Sequence, residues 1–238
     1  MKYMGSKARI AKEIAQIINN IIIENNITFY IEPFVGGCNM IEHIQCENKI
    51  GSDINDYLIS MWIALQNGWE PPKEISKELY NDIKNNKDKY SQELVSIAGF
   101  CATYNAKWFG GYAGIVKTKQ GTYRNYYDEA IRNILKQVPK INDVIFRYGD
   151  YEQYSDFKNT LIYCDIPYQN TTQYGTNKNF NYDYFWNWVR NMSKNNIVLI
   201  SEYNSPNDFK CIWKKQLTTT LDKNSRKKDV EKLFILNK

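Results

Sequence analysis

The sequence predicts a mixed α/β domain on an open, mostly parallel sheet, interrupted by an inserted helical segment. Three observations predict it. Near the N-terminus a helix, a short apolar strand, a glycine loop and a second strand ending on an acid follow one another. Strand signals lapse from about Gly68 to Asn142 and then resume. Apolar runs of strand length alternate with amphipathic helices, the pattern of parallel βαβ units rather than of hairpins. A length of 238 residues suits one sizeable domain with a smaller module. The expected boundaries are 1–67 and 143–238 for the sheet domain and 68–142 for the insertion.

After Ser6, read as an N-cap, Ile10, Ile14, Ile17, Ile18 and Ile21 recur at three and four, so a first helix fades at Glu24. Thr28 to Ile31 reads as a buried strand, and Glu32-Pro33-Phe34-Val35-Gly36-Gly37 as the turn leaving it. Asn39 to Gln45 reads as helical. Lys49 to Ser52 makes a second strand ending on Asp53, and Leu58, Met61, Trp62 and Leu65 mark another helix. Within the insertion, helical stretches at Glu78 to Phe100 and Asp128 to Gln137 surround a glycine- and aromatic-rich loop, with no strand pair expected. Strands return at Val144 to Arg147, Leu161 to Cys164, Ile197 to Ser201 and Leu233 to Leu236, with a helix around Tyr184 to Met192.

Lysine and arginine exceed aspartate and glutamate by 31 to 26, a net charge of +5 that permits a polyanionic partner without demanding one. The five cysteines form no C-x-x-C pair, so neither a disulfide nor a zinc site is expected. The single histidine, His43, excludes any catalytic scheme needing two and reads as a helix-surface or packing residue. No signal-peptide core and no membrane-length apolar run is visible. The expectation is a soluble cytoplasmic chain without metal, a monomer or weak dimer.

In open α/β sheets ligands bind outside the carboxyl ends of the strands. The glycine loop would let backbone approach a small ligand, and Asp53 could accept hydrogen bonds from ribose hydroxyls. Neither G-x-G-x-x-G nor G-x-x-x-x-G-K-[ST] is present, so a nucleoside without a long phosphate chain fits better; a purely structural turn is the alternative. In TLIYCDIPYQNTTQY an apolar run ends on Asp165, followed by Ile166, Pro167 and Tyr168. The Asp165 side chain and the Ile166 carbonyl form an acceptor pair in fixed relation, suited to the two hydrogens of an exocyclic amine. Tyr168 adds a flat face for a base. A plain strand-to-loop turn with a surface acid is the alternative reading of these four residues.

Taken together, Y-M-G-S-K at Tyr3 to Lys7, E-P-F-V-G-G at Glu32 to Gly37, S-D-I-N at Ser52 to Asn55, N-A-K-W-F-G-G at Asn105 to Gly111, D-I-P-Y at Asp165 to Tyr168 and R-K-K-x-V-E at Arg226 to Glu231 resemble, in order, the motifs of Dam-type (D12 class) DNA adenine N6-methyltransferases. The resemblance implies a Rossmann-like, S-adenosylmethionine-dependent methyltransferase sheet with 68–142 as a target-recognition module. It places Tyr3, Lys7, Glu32, Phe34, Gly36 and Asp53 around S-adenosylmethionine, with Asp150 and Tyr151 as further contacts. Asp165 would lie between cofactor and base, and Asp165, Ile166, Pro167 and Tyr168 would form the catalytic turn. The implied reaction is site-specific methylation of adenine N6 in duplex DNA by base flipping, without metal. Two positions depart from the family: Ile166 replaces the first proline of D-P-P-Y, and Cys38 replaces the last glycine of F-x-G-x-G. An inactive DNA-binding relative, or an RNA or protein-glutamine methyltransferase, is the alternative. No cysteine follows a proline, which excludes a cytosine C5 enzyme.

Between Thr103 and Tyr127 stand Tyr104, Trp108, Phe109, Tyr112, Tyr123, Tyr126 and Tyr127 with Lys107, Lys117, Lys119 and Arg124, and no acid. Rings interleaved with cations suit phosphate contact and wedging, although the rings could equally pack the module. Asn105, Lys107, Trp108, Lys117, Lys119, Tyr123 and Arg124 are the expected DNA contacts there. Arg226, Lys227 and Lys228, with Lys223, form a second basic cluster that by resemblance lies near DNA. Gln169 to Asn181 is a candidate flap, with Tyr174 and Phe180 as pocket walls.

Overall fold

The computed structural model describes residues 1–3, 5–118, 120–169, 180–218 and 228–237. Seven strands form one sheet: β1 (Phe29–Glu32), β2 (Asn48–Asp53), β5 (Val144–Tyr148), β6 (Thr160–Asp165), β7 (Ile197–Glu202), β8 (Phe209–Thr218) and β9 (Lys228–Leu236). Their spatial order is β5-β2-β1-β6-β7-β9-β8. The first five pair in parallel, and β9 and β8 close the edge antiparallel. From β1 the chain steps outward to β2 and β5, then returns to β6 on the other side of β1. The reversal point, where a crevice opens in such sheets, therefore lies between β1 and β6.

Period-two alternation sends the strands' side chains to two cores. Leu161 and Tyr163 join Ile14 and Ile18 of α1 (Ala11–Glu24) and Leu58 and Trp62 of α2 (Asp56–Gln66) on one face. Ile162 and Cys164 join Phe185, Trp188 and Val189 of α6 (Tyr182–Met192) on the other. A sheet covered on both faces needs strands apolar on both, which is why β6 reads as a near-continuous apolar run.

Residues 68–142 add no strand to this sheet. They form α3 (Lys77–Asn85), α4 (Gln92–Cys101), a hairpin of β3 (Ile115–Lys117) and β4 (Tyr123–Asn125), and α5 (Tyr126–Gln137). The helix α4 lies along α2, where Ser96 Oγ donates to Met61 sulfur at 3.5 Å.

Several sequence expectations are corrected here. Ser6 is not the cap of α1: its hydroxyl accepts from Ala8 N–H (3.2 Å) and from the Asn39 amide (2.8 Å), and the helix starts at Ala11 behind Ile10. Asn39 to Gln45 is not a helix but a single 3₁₀ turn at Ile41–His43; so short a run does not offset the cost of nucleation. The stretch from Glu78 to Phe100 is two helices, broken at Asn86, which ends α3, and restarted after Ser91. The insertion does hold a strand pair, β3–β4, and β8 was not expected at all. Among the described residues no helix is long and apolar enough to cross a membrane.

Candidate active site

The strand β6 delivers Asp165 to the crevice. Thr160 to Cys164 are buried, whereas the Asp165 side chain retains 21% exposure at the strand end. There it meets the ammonium of Lys7 at 3.0 Å. Lys7 is anchored by its own backbone, whose carbonyl receives the N–H groups of Ile10 and Ala11 at 2.8 Å just ahead of α1. The same Nζ lies 3.7 Å from Glu231 Oε2 and 4.2 Å above the centre of the Tyr168 ring. Tyr168 donates its hydroxyl to Glu231 Oε2 at 2.6 Å.

Ile166 occupies the position where the resembled family has proline. Its side chain sinks into the α6-side core, 3% exposed, so apolar burial favours isoleucine at that point. The turn is stiffened from outside instead. Tyr182 Oη donates to the Pro167 carbonyl at 2.9 Å, and Glu202, ending β7, accepts the Gln169 N–H at 2.9 Å.

Across the crevice, β1 ends on Glu32 and β2 on Asp53. Glu32 is 2% exposed and accepts from Tyr30 Oη at 3.2 Å. Burial, reinforced by the nearby Asp165, pushes its carboxyl well above the usual range. Asp53 accepts the N–H of Gly36 at 3.1 Å and of Asn55 at 3.0 Å, tying the glycine loop to the end of β2. Burial raises Asp53 to about 6, and raises Glu202 to about 6. Asp165 is also raised by burial, with Lys7 opposing.

The loop itself needs glycine at Gly36. Its φ is +46°, and a Cβ there would stand 2.9 Å from the Tyr3 ring. Cys38 keeps a left-handed turn, φ +56°, although it is not glycine. Gln137 holds that turn by donating to the carbonyls of Gly37 (3.0 Å) and Cys38 (2.9 Å). Phe34 stacks on Tyr151 at 5.7 Å, and Asp150 caps the turn after β5 by accepting the Glu152 N–H at 3.3 Å.

On this side of the sheet Lys7 meets Asp165, Glu32 lies near Asp165, and Tyr3 and Asp53 both border Gly36, with Phe34 and Tyr151 paired on the adjoining loops. Among the described residues five acids, Glu32, Asp53, Asp165, Glu202 and Glu231, stand on these strand ends and their neighbours, and Lys7 is the ammonium paired with two of them, Asp165 and Glu231. Buried acids whose pKa values are raised gain from a cationic neighbour, so these residues are compatible with the S-adenosylmethionine that the resemblance implies. Among the described residues no group of three or more His, Cys, Asp or Glu side chains is arranged to hold a metal. Sequence reading gave Glu202 no role, and Glu231 none beyond closing the R-K-K-x-V-E match. The rule that found Asp165, an acid ending an apolar strand, would have found Glu202 in IVLISE.

The expected DNA contacts divide. Tyr123 is 74% exposed on the hairpin, and Lys117, Lys107 and Asn105 are exposed as well. Two of the expected contacts are engaged within the module. Trp108 is spent on packing: its ring lies 4.6 Å from Phe100 and 5.5 Å from Tyr57, and it leaves no room for a Cβ at Gly99. Arg124 is paired in a fork with Glu129, at 2.6 and 2.7 Å, so its charge is already answered. Tyr127 and Tyr112 also turn inward, donating to the carbonyls of Pro72 and Ile75. Lys119, Lys223, Arg226, Lys227, Tyr174 and most of the candidate flap lie outside the described residues, and Lys228 is described only in its backbone.

The family described as D12 class N6 adenine-specific DNA methyltransferase matches residues 3–227. Type II methyltransferase M.MjaIII of Methanocaldococcus jannaschii is 24% identical over 71% of this chain and 68% of its own length. Type II methyltransferase M.CviBI of Paramecium bursaria Chlorella virus NC1A is 27% identical over 74% and 71%. A looser likeness joins the chain to the solved structure of PH1948 from Pyrococcus horikoshii, described as an RNA methyltransferase by inference. It has a TM-score of 0.37 and 9% identity over 97% of this chain and 82% of that one, too low to carry an argument.

Proposed function

The chain belongs to the D12 class of N6 adenine-specific DNA methyltransferases, and from that premise we propose that it methylates the N6 amino group of adenine in duplex DNA after the base is turned out of the helix. Tyr3, Lys7, Glu32, Phe34, Gly36, Asp53, Asp150 and Tyr151 would hold S-adenosylmethionine, which would supply an electrophilic methyl group. The rest of the chemistry is positioning. Asp165 and the Ile166 carbonyl accept the two amine hydrogens, which draws the nitrogen lone pair out of conjugation. Pro167 keeps the turn rigid, and Tyr168 supports the plane of the base. Asp165 would take the proton that the amine loses on methylation.

One observation carries this reading. The Lys7 ammonium, an N–H donor, rests on Asp165 at 3.0 Å and over the Tyr168 ring at 4.2 Å. A donor nitrogen between that carboxylate and that ring is the arrangement an incoming amine would need. Residues 68–142 are proposed as the target-recognition module, with the β3–β4 hairpin facing DNA.

The test is transfer of labelled methyl groups to duplex DNA, RNA and a glutamine peptide in parallel. Incorporation into duplex DNA at adenine N6, lost in Asp165→Ala with S-adenosylmethionine affinity kept within a few fold, is the expected result. Label in RNA or peptide alone, or a fully active Asp165→Ala, overturns it.

A further inference from the structure

The antiparallel edge of the sheet reaches the catalytic turn through two carboxylates that the reaction does not itself call for. In the β7–β9 ladder Glu202 pairs with Lys232, so Glu231 lies next to the end of β7, on the side of Tyr168. Glu231 is 9% exposed and takes the Tyr168 hydroxyl at 2.6 Å, a short, charge-assisted bond inside a buried site. Burial and the neighbouring carboxylates Asp165 and Glu231 hold Tyr168 well above its usual pKa, so it keeps the proton it donates. On the other side of the peptide, Glu202 accepts the N–H groups of Gln169 (2.9 Å) and Tyr203 (2.6 Å). Tyr203 packs edge-on against Tyr168 at 4.5 Å.

A ring that is to support an extruded base must not rotate or withdraw when Lys7 moves off its face. Its backbone is set by Pro167 and by the Glu202 bond. Its far end is set by Glu231. We propose that Glu231 is a positioning residue for methyl transfer, acting through the Tyr168 hydroxyl to fix the ring against which the target adenine rests. This rests on the methyltransferase reading above. Tyr168→Phe removes the bond to Glu231 while keeping every carboxylate beside Lys7, so its effect should fall on turnover rather than on cofactor affinity.

The experiment measures methylation of duplex DNA by Glu231→Ala, Glu231→Gln, Tyr168→Phe and the Glu231→Ala/Tyr168→Phe double variant, with S-adenosylmethionine affinity measured separately. Glu231→Ala and Tyr168→Phe should each lower kcat by about ten-fold, and in Tyr168→Phe, which keeps every carboxylate of the site, cofactor affinity should stay within about two-fold of wild type. Glu231→Gln, whose amide oxygen still accepts the hydroxyl, should recover most of that loss. The double variant should be no worse than either single, because both remove the same bond. Should Glu231→Ala fail to fold, Tyr168→Phe and Glu231→Gln carry the test. A Tyr168→Phe enzyme at the wild-type rate, a Glu231→Gln enzyme at about a tenth of it, or a double loss equal to the product of the singles overturns the proposal. Wild-type protein that methylates no duplex DNA would instead sink the functional reading beneath it.

Discussion

Cys38 shows how one residue can depart from a family pattern without changing the path of the chain. Its φ of +56° costs an L-residue about 1–2 kcal/mol relative to glycine, yet its thiol is fully buried. The two effects roughly cancel. Cys38→Gly should therefore move stability by no more than about 1 kcal/mol and keep the cofactor, whereas Cys38→Val, β-branched at positive φ, should cost about 2 kcal/mol or more in urea unfolding. Equal behaviour of the two variants would remove the conformational argument. Asp53 sets a pH dependence at the same scale. Burial lifts its carboxyl from 3.8 to about 6. A cationic ligand favours the charged form, so proton and cofactor compete: affinity should be flat above pH 7 and fall as pH drops through about 6. Asp53→Asn should bind more weakly at neutral pH and lose that fall. In the ligand-free fold the sign reverses, because a carboxyl raised on folding contributes stability below its unfolded pKa and loses it as pH rises through about 6. These residues were legible because each ends a strand or fills a tight turn. Glu231 was visible only as the end of the R-K-K-x-V-E match and not as the partner of Tyr168, since an antiparallel strand pairing far along the chain brings the two together.

At the scale of elements, legibility followed pattern. α1, α2 and α6 bury one face, and their spacing gave them away. In the β3–β4 hairpin, Ile115, Val116 and Lys117 of β3 are all exposed and β4 has only three residues, so there is no alternation to read. β8 and the short turn at Ile41–His43 were missed for related reasons, an exposed edge in one case and too few residues in the other. Exposure also separates the aromatics, which composition alone could not. Tyr123→Ala and Lys117→Ala should leave the thermal midpoint unchanged, and each should weaken DNA binding by several fold, with Lys117→Ala reducing the salt slope by about one unit. Trp108→Ala should do the reverse, costing about 3 kcal/mol of stability before any loss of DNA binding, since its ring fills the space between α2 and α4. Arg124→Ala should behave as the loss of a hairpin–α5 ion pair. Salt titrations paired with melting curves distinguish the two classes. A Trp108→Ala protein that melts normally and binds DNA poorly would return that ring to the interface.

The whole molecule places its acids at the one point where the sheet reverses direction. Glu32 and Asp53 come from the half of the sheet that runs through β1, β2 and β5, and Asp165, Glu202 and Glu231 from the half that runs through β6, β7 and β9. Burial and neighbouring carboxylates raise Glu32, Asp165 and Glu202, and among the described residues the Lys7 ammonium is paired with Asp165 and Glu231. Without a cationic ligand this is a source of instability built into the centre of the fold. A ligand that brings positive charge to the seam answers charges from both halves at once, so its binding should show as global stabilisation rather than as local ordering. At about a hundred times its dissociation constant, S-adenosylmethionine should add about 2.7 kcal/mol. For a domain of this length that is a rise of roughly 5–10 °C in Tm. The rise should be much reduced in Asp53→Ala, which removes an acid from one half, and should shrink below pH 6 in the wild type. S-adenosylhomocysteine, which lacks the sulfonium charge, should give a smaller rise whose pH dependence is weaker. A melting temperature indifferent to saturating S-adenosylmethionine would mean that these carboxylates face no cationic ligand at all, and equal, pH-independent rises with both compounds would mean that their charge is irrelevant to its binding.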